Sequence, residues 1–312
     1  RLQLDALRTA QVGSVAVGYL HAWRNPDHER RTAELIHQHW PEVSLSLSSD
    51  VCPEVREYER LSTTAANAYV KPLMAGYLNA LAERLLAAGI QAPLRLMTSG
   101  GGLTDLQTAA RYPIRLVESG PAGGAILAGA LARAHEAPSV LSFDMGGTTA
   151  KLCLIDDGEP VLSRAFEVDR AYRFKKGSGL PVRIPVVEMV EIGAGGGSIA
   201  AVDRLGRVQV GPESAGSEPG PVAYGRGGSR PTVTDADVHL GRVVTAGFAA
   251  AGLRVAPDAV AQALARWDVD LDLLVSRVVR LGLGLKPQQP LHLRLCCLGL
   301  GLELLQSLSL RL

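Results

Sequence analysis

The sequence predicts an α/β fold carrying glycine-rich ligand loops, and three observations support that expectation. Strand-like apolar runs alternate with helical patterns along most of the chain. Glycine is abundant, at 34 of 312 residues. It is clustered without period, as in backbone turns that close around a ligand and unlike collagen or a flexible linker. The main clusters stand at the end of a strand-like run or at a helix start.

Length suits roughly one to two domains with a sizeable core. The 32 basic and 31 acidic residues leave a formal charge of +1, so electrostatics gives no general reason to expect nucleic acid or a membrane surface as partner. Aromatic residues make up only 4%, too few for a base-stacking platform. Cys52, Cys153, Cys296 and Cys297 form no CxxC pair and the last two are adjacent, so the pattern indicates neither a zinc site nor a disulfide framework and predicts reduced thiols in a cytoplasmic protein. No signal-peptide pattern opens the chain, and no run reaches the roughly 18 apolar residues of a membrane span. Because the sequence begins at Arg1, an incomplete start is expected.

In order, "RRTAELIHQHW" reads as a short helix and "VSLSLS" as a strand. From Arg60 to Ala88 the pattern is helical, with Tyr69, Leu73, Tyr77, Leu81 and Leu85 at every fourth position and Gly89 as the terminating glycine. "LRLMTSGGGL" is a strand entering a glycine loop. "ESGPAGGAILAGALARA" is a helix whose small residues allow a neighbouring backbone close. "SVLSFDMGGTTAKLCLIDDGEPV" predicts two strands joined by a glycine turn, with Asp157-Gly158 as a second turn. Residues 171–185 read as a basic, mobile loop, and "VVEMVEIGAGGGSIAAVD" as strand, glycine loop, strand. An irregular stretch from Gly211 to Pro231 and a helix from Pro257 to Trp267 follow. Residues 281–312 hold 14 leucines in a low-complexity tail. The expected domains are 1–135, the end of a first lobe with linking helices; 136–273, a second lobe with the main turn; and the tail, 274–312.

The strongest chemical signal is "FDMGGTTAK". An apolar run delivers Asp144 to a strand end. Gly146 and Gly147 then permit a turn whose N–H groups can converge on an anion, Thr148 and Thr149 add hydroxyls, and Lys151 adds a charge. Like charge keeps Asp144 from phosphate itself, so its expected task is catalytic support by holding Mg²⁺ beside the phosphates. The order of acid, glycines and hydroxyls resembles the phosphate loops of the actin, Hsp70 and sugar-kinase superfamily, and no Walker A pattern is present. A second loop, "EIGAGGGSIA", offers Gly195, Gly196, Gly197 and the Ser198 hydroxyl to a ligand. In "ESGPAGG", Gly120 and Pro121 stand at a helix start, which faces either an anion or a packed neighbour.

Eight blocks extend the resemblance: "REYERLSTTAANAYVKP", "SGGGL", "ESGPAGG", "FDMGGTTAK", "VEMVEIGAGGGSIA", "VGPESAGSEPGP", "YGRGG" and "PTVTDADVHLGR". In this order, from Pro53 to Arg242, they are similar to the hydantoinase A/5-oxoprolinase family, which includes N-methylhydantoinase and acetone-carboxylase subunits. The resemblance implies an actin-like ATPase fold, with ribonuclease-H-like lobes around a nucleotide cleft. It also implies ATP and Mg²⁺ as cofactors, a cyclic amide substrate activated by carbonyl phosphorylation, and a second subunit of the hydantoinase B type. The family's earlier DxGGT loop and its later "GGAGP" segment have no copy here, so this chain is expected to bind ATP weakly and turn over little. An ATP-dependent ketone carboxylase subunit and a non-catalytic nucleotide-binding remnant are the alternative readings.

Other residues were weighed. Asp235, Asp237 and His239 would share a face if they lay on a strand, as metal ligands could, although an ordinary structural role is favoured. His37 and His39 fall on a helix as surface residues. Glu188 and Glu191 flank the second glycine loop, and Arg173, Lys175 and Lys176 form a basic patch.

Overall fold

The computed structural model describes residues 2–171, 177–204, 208–243 and 255–265. The basic patch Arg173, Lys175 and Lys176, the leucine-rich tail, Trp267, Cys296 and Cys297 lie outside the described residues.

Along the chain come α1 (Leu2–Thr9), β1 (Ser14–Val17), α2 (Asp27–His39), β2 (Ser44–Leu47), α3 (Ser48–Val51) and the long α4 (Glu57–Ala87). Then follow β3 (Arg95–Met97), β4 (Leu103–Asp105), α5 (Leu106–Arg111) and α6 (Ser119–Ala134). β5 (Ser139–Met145) and β6 (Ala150–Asp156) precede the short strands β7 (Glu159–Pro160), β8 (Leu162–Ser163), β9 (Phe166–Val168), β10 (Leu180–Val182), β11 (Val186–Val187) and β12 (Val190–Ile192). Last are β13 (Ser198–Val202), β14 (Val208–Ser214), α7 (Val233–His239) and α8 (Pro257–Leu264). The described residues group into two compact units, one made of residues up to 127 with 160–188, the other of 128–159 with those from 189 on.

In the first unit β1 and β2 pair in parallel, Ser14 opposite Ser44 through Val17 opposite Leu47, with α2 as the crossover. Asp27 and Glu29 in its first turn and His37 and His39 in its last complement the dipole of α2. Ile36, Trp40, Val17 and Val43 bury together beneath it. Both histidines are exposed, as expected.

The carboxyl ends of the two strands run into a buried polar knot. Glu29 accepts hydrogen bonds from the Tyr19 and Ser49 amides and the Ser48 hydroxyl. Arg60 of α4 reaches the same Ser48 hydroxyl through Nε, and the Glu54 and Tyr19 carbonyls through its two Nη atoms. Glu29, Ser48 and Arg60 are fully buried.

The expected helix over 60–88 is present as α4, and Gly89 follows at φ +81°. The first three residues of its apolar stripe, Tyr69, Leu73 and Tyr77, are exposed, and Leu81 and Leu85 are half-buried. Tyr69 and Leu73 are 85% and 78% exposed, whereas Arg60, Thr63, Thr64, Asn67 and Ala68 are buried. Segment 171–185, expected as a loop, ends instead in β10, paired antiparallel with β9; Val182, Ile184 and Val186 then join a core with Val51, Cys52 and Ile114.

In the second unit β12, β6 and β5 form an antiparallel sheet in that order. Register decides its faces, because directly opposed residues point the same way. Leu141, Phe143 and Met145 on β5, Ala150 and Leu152 on β6, and Ile192 on β12 bury against Ala194, Ala200, Val233 and Ala236. Asp144, Lys151 and Glu191 project from the opposite face. The Asp157-Gly158 turn has φ of +49° and +77°, the sign a tight two-residue turn requires. Gly129 of α6 lies against the Gly158 carbonyl so closely that a methyl group would overlap it, the close approach expected of that small-residue helix.

Asp235, Asp237 and His239 do not alternate on a strand; they lie on α7, which overturns the shared-face geometry. Asp235 is fully buried and closes a capping box with Thr232 while accepting the Val222 and Ala223 amides. Asp237 is largely buried, and burial pushes its carboxyl up to about 6 against the opposing pull of Arg242, 3.9 Å away. The folded state therefore holds this proton more tightly than the unfolded chain does. The associated stability is present at low pH and is lost as pH rises from 3.8 through about 6. Asp237→Asn is expected to raise the unfolding free energy at pH 7.5 by about 2 kcal/mol and to flatten its fall between about pH 4 and 6, measured by urea titration.

Candidate functional site

The candidate site is the turn between β5 and β6. The hairpin closes when the Gly146 amide donates to the Thr149 carbonyl at 2.9 Å. Beyond that bond the turn points outward: Asp144, Gly146, Gly147 and Thr148 are exposed and Thr149 is half-buried. Among the described residues the amides of Gly147 and Thr148 donate to nothing, and neither threonine hydroxyl has a partner. Space around Gly147 is open. Two free amides and two hydroxyls on one exposed turn are the donors an anion needs.

The second glycine loop faces inward. Gly195 to Ser198 are all buried. The Gly195 amide donates to the Ser198 hydroxyl and the Ser198 amide back to the Gly195 carbonyl. Gly196 and Gly197 donate to the Gly146 and Gly147 carbonyls at 2.9 and 2.7 Å, while their own carbonyls accept from Thr234 and Ala215. The amides and hydroxyl expected to meet a ligand are thus engaged within the protein, and the loop braces the exposed turn from behind.

The need for glycine follows from that packing. A methyl group at Gly195 would lie 2.6 Å from the Gly146 oxygen and 2.7 Å from the Thr149 nitrogen, both backbone atoms that cannot step aside. Gly195→Ala is expected to destabilise the second unit by about 1–3 kcal/mol. Gly147→Ala, in open space, should change stability by less than about 0.5 kcal/mol. Paired urea melts of the two variants check the contrast.

Lys151 does not extend from the turn itself. Its register places it opposite Asp144 on β5 and opposite Glu191 on β12, so one row across the sheet reads carboxylate, ammonium, carboxylate. That row carries a net single negative charge on an exposed face, which favours a cation. Among the described residues no group of three or more histidine, cysteine or acidic side chains could hold a metal. Exposed Asp144 at the end of β5 is a donor of the kind Mg²⁺ takes, since that ion keeps most of its water and needs only one or two carboxylates besides phosphate oxygens. Glu188, expected beside Glu191, belongs to the first unit.

Thr234 joins the site from outside the glycine motifs: its amide donates to the Gly196 carbonyl from the start of α7. The signal was present in "TVTD", a capping box that marks a helix start and excludes a strand there. No helix among the described residues is long and apolar enough to cross a membrane.

A mixed α/β chain with this sheet and turn has the actin-like ATPase fold. It is similar to the ATP-dependent caprolactamase from Pseudomonas jessenii, with a TM-score of 0.65 at 31% identity over 90% of this chain and 40% of that one. Nucleotide-free acetone carboxylase shares the fold at a TM-score of 0.65 and 23% identity, over 89% of this chain and 39% of that one. The hydantoinase/oxoprolinase family model matches residues 60–269, and this chain belongs to that family. Caprolactamase subunit alpha of P. jessenii is 35% identical over 261 residues, 84% of this chain and 36% of its own length. An uncharacterised protein of Methanocaldococcus jannaschii is 42% identical over 232 residues, 73% of this chain and 34% of its own length. The chain thus spans about a third of the length of these two relatives.

Proposed function

We propose that the turn after Asp144 receives the phosphates of Mg·ATP, in an ATP-dependent hydrolase of cyclic amides of the hydantoin or 5-oxoproline type. The supporting observation is the contrast between the two glycine loops: one spends its amides inside the protein, the other presents Gly147 and Thr148 outward beside Asp144. ATP, when bound, supplies the phosphoryl group that makes an amide carbonyl oxygen part of a leaving group, with Mg²⁺ screening charge.

The chain's own residues position. Gly147 and Thr148 donate N–H groups to phosphate oxygens, and Thr148 and Thr149 add hydroxyls. Asp144 holds the metal side of the site. Lys151 offsets the charge that Asp144 and Glu191 would otherwise build on one face. Gly195, Gly196, Gly197 and Ser198 keep the turn in shape without touching phosphate.

Membership of a family with a caprolactamase subunit alpha supports the cyclic amide class and a second, hydantoinase B-type subunit as partner. Cys52 and Cys153 are buried thiols outside any disulfide, which suits a cytoplasmic setting. The test is Mg·ATP titration followed by ADP release with 5-oxoproline, hydantoin, caprolactam and acetone. Cyclic-amide-stimulated release supports the reading. Stimulation by acetone alone, with bicarbonate present, would assign the carboxylase branch, and nucleotide binding without any stimulation a non-catalytic module.

A further inference from the structure

The first unit holds a cavity of about 470 Å³, a size that suits a small metabolite, and the nucleotide reading makes no use of it. Its lining residues include apolar Leu116 and buried Ile184 together with Tyr112, Arg115 and Arg183. Arg115 is fixed at both ends. Its carbonyl accepts from the Ser99 amide and hydroxyl at 2.8 and 2.7 Å, and its guanidinium lies over the Tyr112 ring, 4.9 Å from the centroid. Yet that guanidinium has no hydrogen-bond acceptor and no acidic partner among the described residues.

The neighbouring cations differ. Arg111 stacks on the other contact of the same ring, at 5.1 Å, and is paired with Asp50. Arg183 is paired with Glu59 at 3.6 Å. One held, half-buried guanidinium with its donors unspent, in a cavity with apolar walls, is an arrangement made for an anion. The hydroxyl of Thr104, also lining the cavity, has no partner either.

We infer that this cavity binds a small organic molecule through one carboxylate, held by the Arg115 fork with the apolar body against Leu116 and Ile184. A single unpaired guanidinium matches one planar carboxylate, whereas a dianionic phosphate would bring a second charge to a cavity that Glu54 also lines and whose other described cation, Arg183, is already paired. The inference stands on the first unit and does not depend on the nucleotide reading.

Calorimetric titration of this chain without nucleotide tests it, with two matched probe pairs: 5-oxoproline against 2-pyrrolidinone, and benzoate against benzamide. At least one carboxylate should bind about tenfold or more tightly than its neutral partner. Arg115→Gln should erase that preference, Arg115→Lys should restore part of it, and Arg111→Gln should leave it within about twofold. Circular dichroism establishes that each variant is folded, and Leu103→Trp, at an exposed position lining the cavity, should weaken both members of a pair alike. Equal binding of acid and neutral probe, no binding of either carboxylate, an unchanged preference in folded Arg115→Gln, or stronger binding of inorganic phosphate would each overturn the proposal. Because ATP is absent from the assay, these outcomes are independent of the nucleotide reading.

Discussion

Replacing Arg60 by alanine is expected to unfold the first unit at a urea concentration well below that of the parent, with a loss of about 3–5 kcal/mol. The magnitude follows from what is left behind. The Glu54 carbonyl loses its donor, the Tyr19 carbonyl keeps only the Ala22 amide, the Ser48 hydroxyl loses one of its two partners, and the fully buried Glu29 carboxylate loses the cation that shares that hydroxyl with it. Each unsatisfied buried group costs roughly 1–3 kcal/mol, and an uncompensated buried charge costs more. Arg60→Lys keeps the charge but offers three donors on a flexible stem in place of a planar fork, so an intermediate loss is expected. The knot ties the βαβ crossover to α4, and Arg60 therefore acts at a distance of 31 residues from Glu29 in sequence. If both variants unfold at the parent midpoint, the cluster contributes no net stability and its burial needs another account.

Much of the local structure was legible. The α4 helix and its Gly89 stop, the β5–β6 hairpin, the Asp157-Gly158 turn and the strand–loop–strand around Gly195 rest on periodicity and on glycine's access to positive φ, which are local properties. Long-range decisions were not. Apolar spacing in α4 pointed to Tyr69 and Leu73, but the helix buries a polar face because Arg60, Thr63 and Asn67 find partners in other segments, while the Thr64 hydroxyl bonds back to the Arg60 carbonyl of its own helix. Such satisfaction cannot be seen in one stretch of sequence.

The two glycine loops make the same point at the candidate site. Both read as ligand cradles, since a glycine needed for backbone approach to a ligand and one needed for backbone approach to another loop are the same residue in sequence. Only the partners of Gly196 and Gly197, the Gly146 and Gly147 carbonyls, separate the brace from the turn it supports. Lys151 is a related case. Its place after the glycine turn suggested a positive charge beside phosphate, and strand register sets it in one row with Asp144 and Glu191.

Asp144→Asn is expected to remove the Mg²⁺ dependence of ATP binding and to lower any ATP-dependent turnover by about a hundred- to a thousandfold, with stability unchanged. Stability should hold because Asp144 is exposed and its side chain has no partner among the described residues that the amide would lose. The functional loss follows from charge. With Asp144 neutral, Lys151 and Glu191 cancel, so the row that carried one net negative charge carries none and no longer attracts a hard cation. Glu191→Gln removes the same formal charge one strand further from the turn, on β12, and should therefore weaken Mg²⁺ dependence less. Lys151→Met leaves two uncompensated carboxylates in the row, which should tighten Mg²⁺ binding while slowing association of free ATP. The order of effects, Asp144 above Glu191 and Lys151 of opposite sign for the metal, is specific to a metal held at the end of β5. A purely structural Asp144 would give three variants with the parent's Mg²⁺ dependence, and titrating ATP at several fixed Mg²⁺ concentrations distinguishes the two.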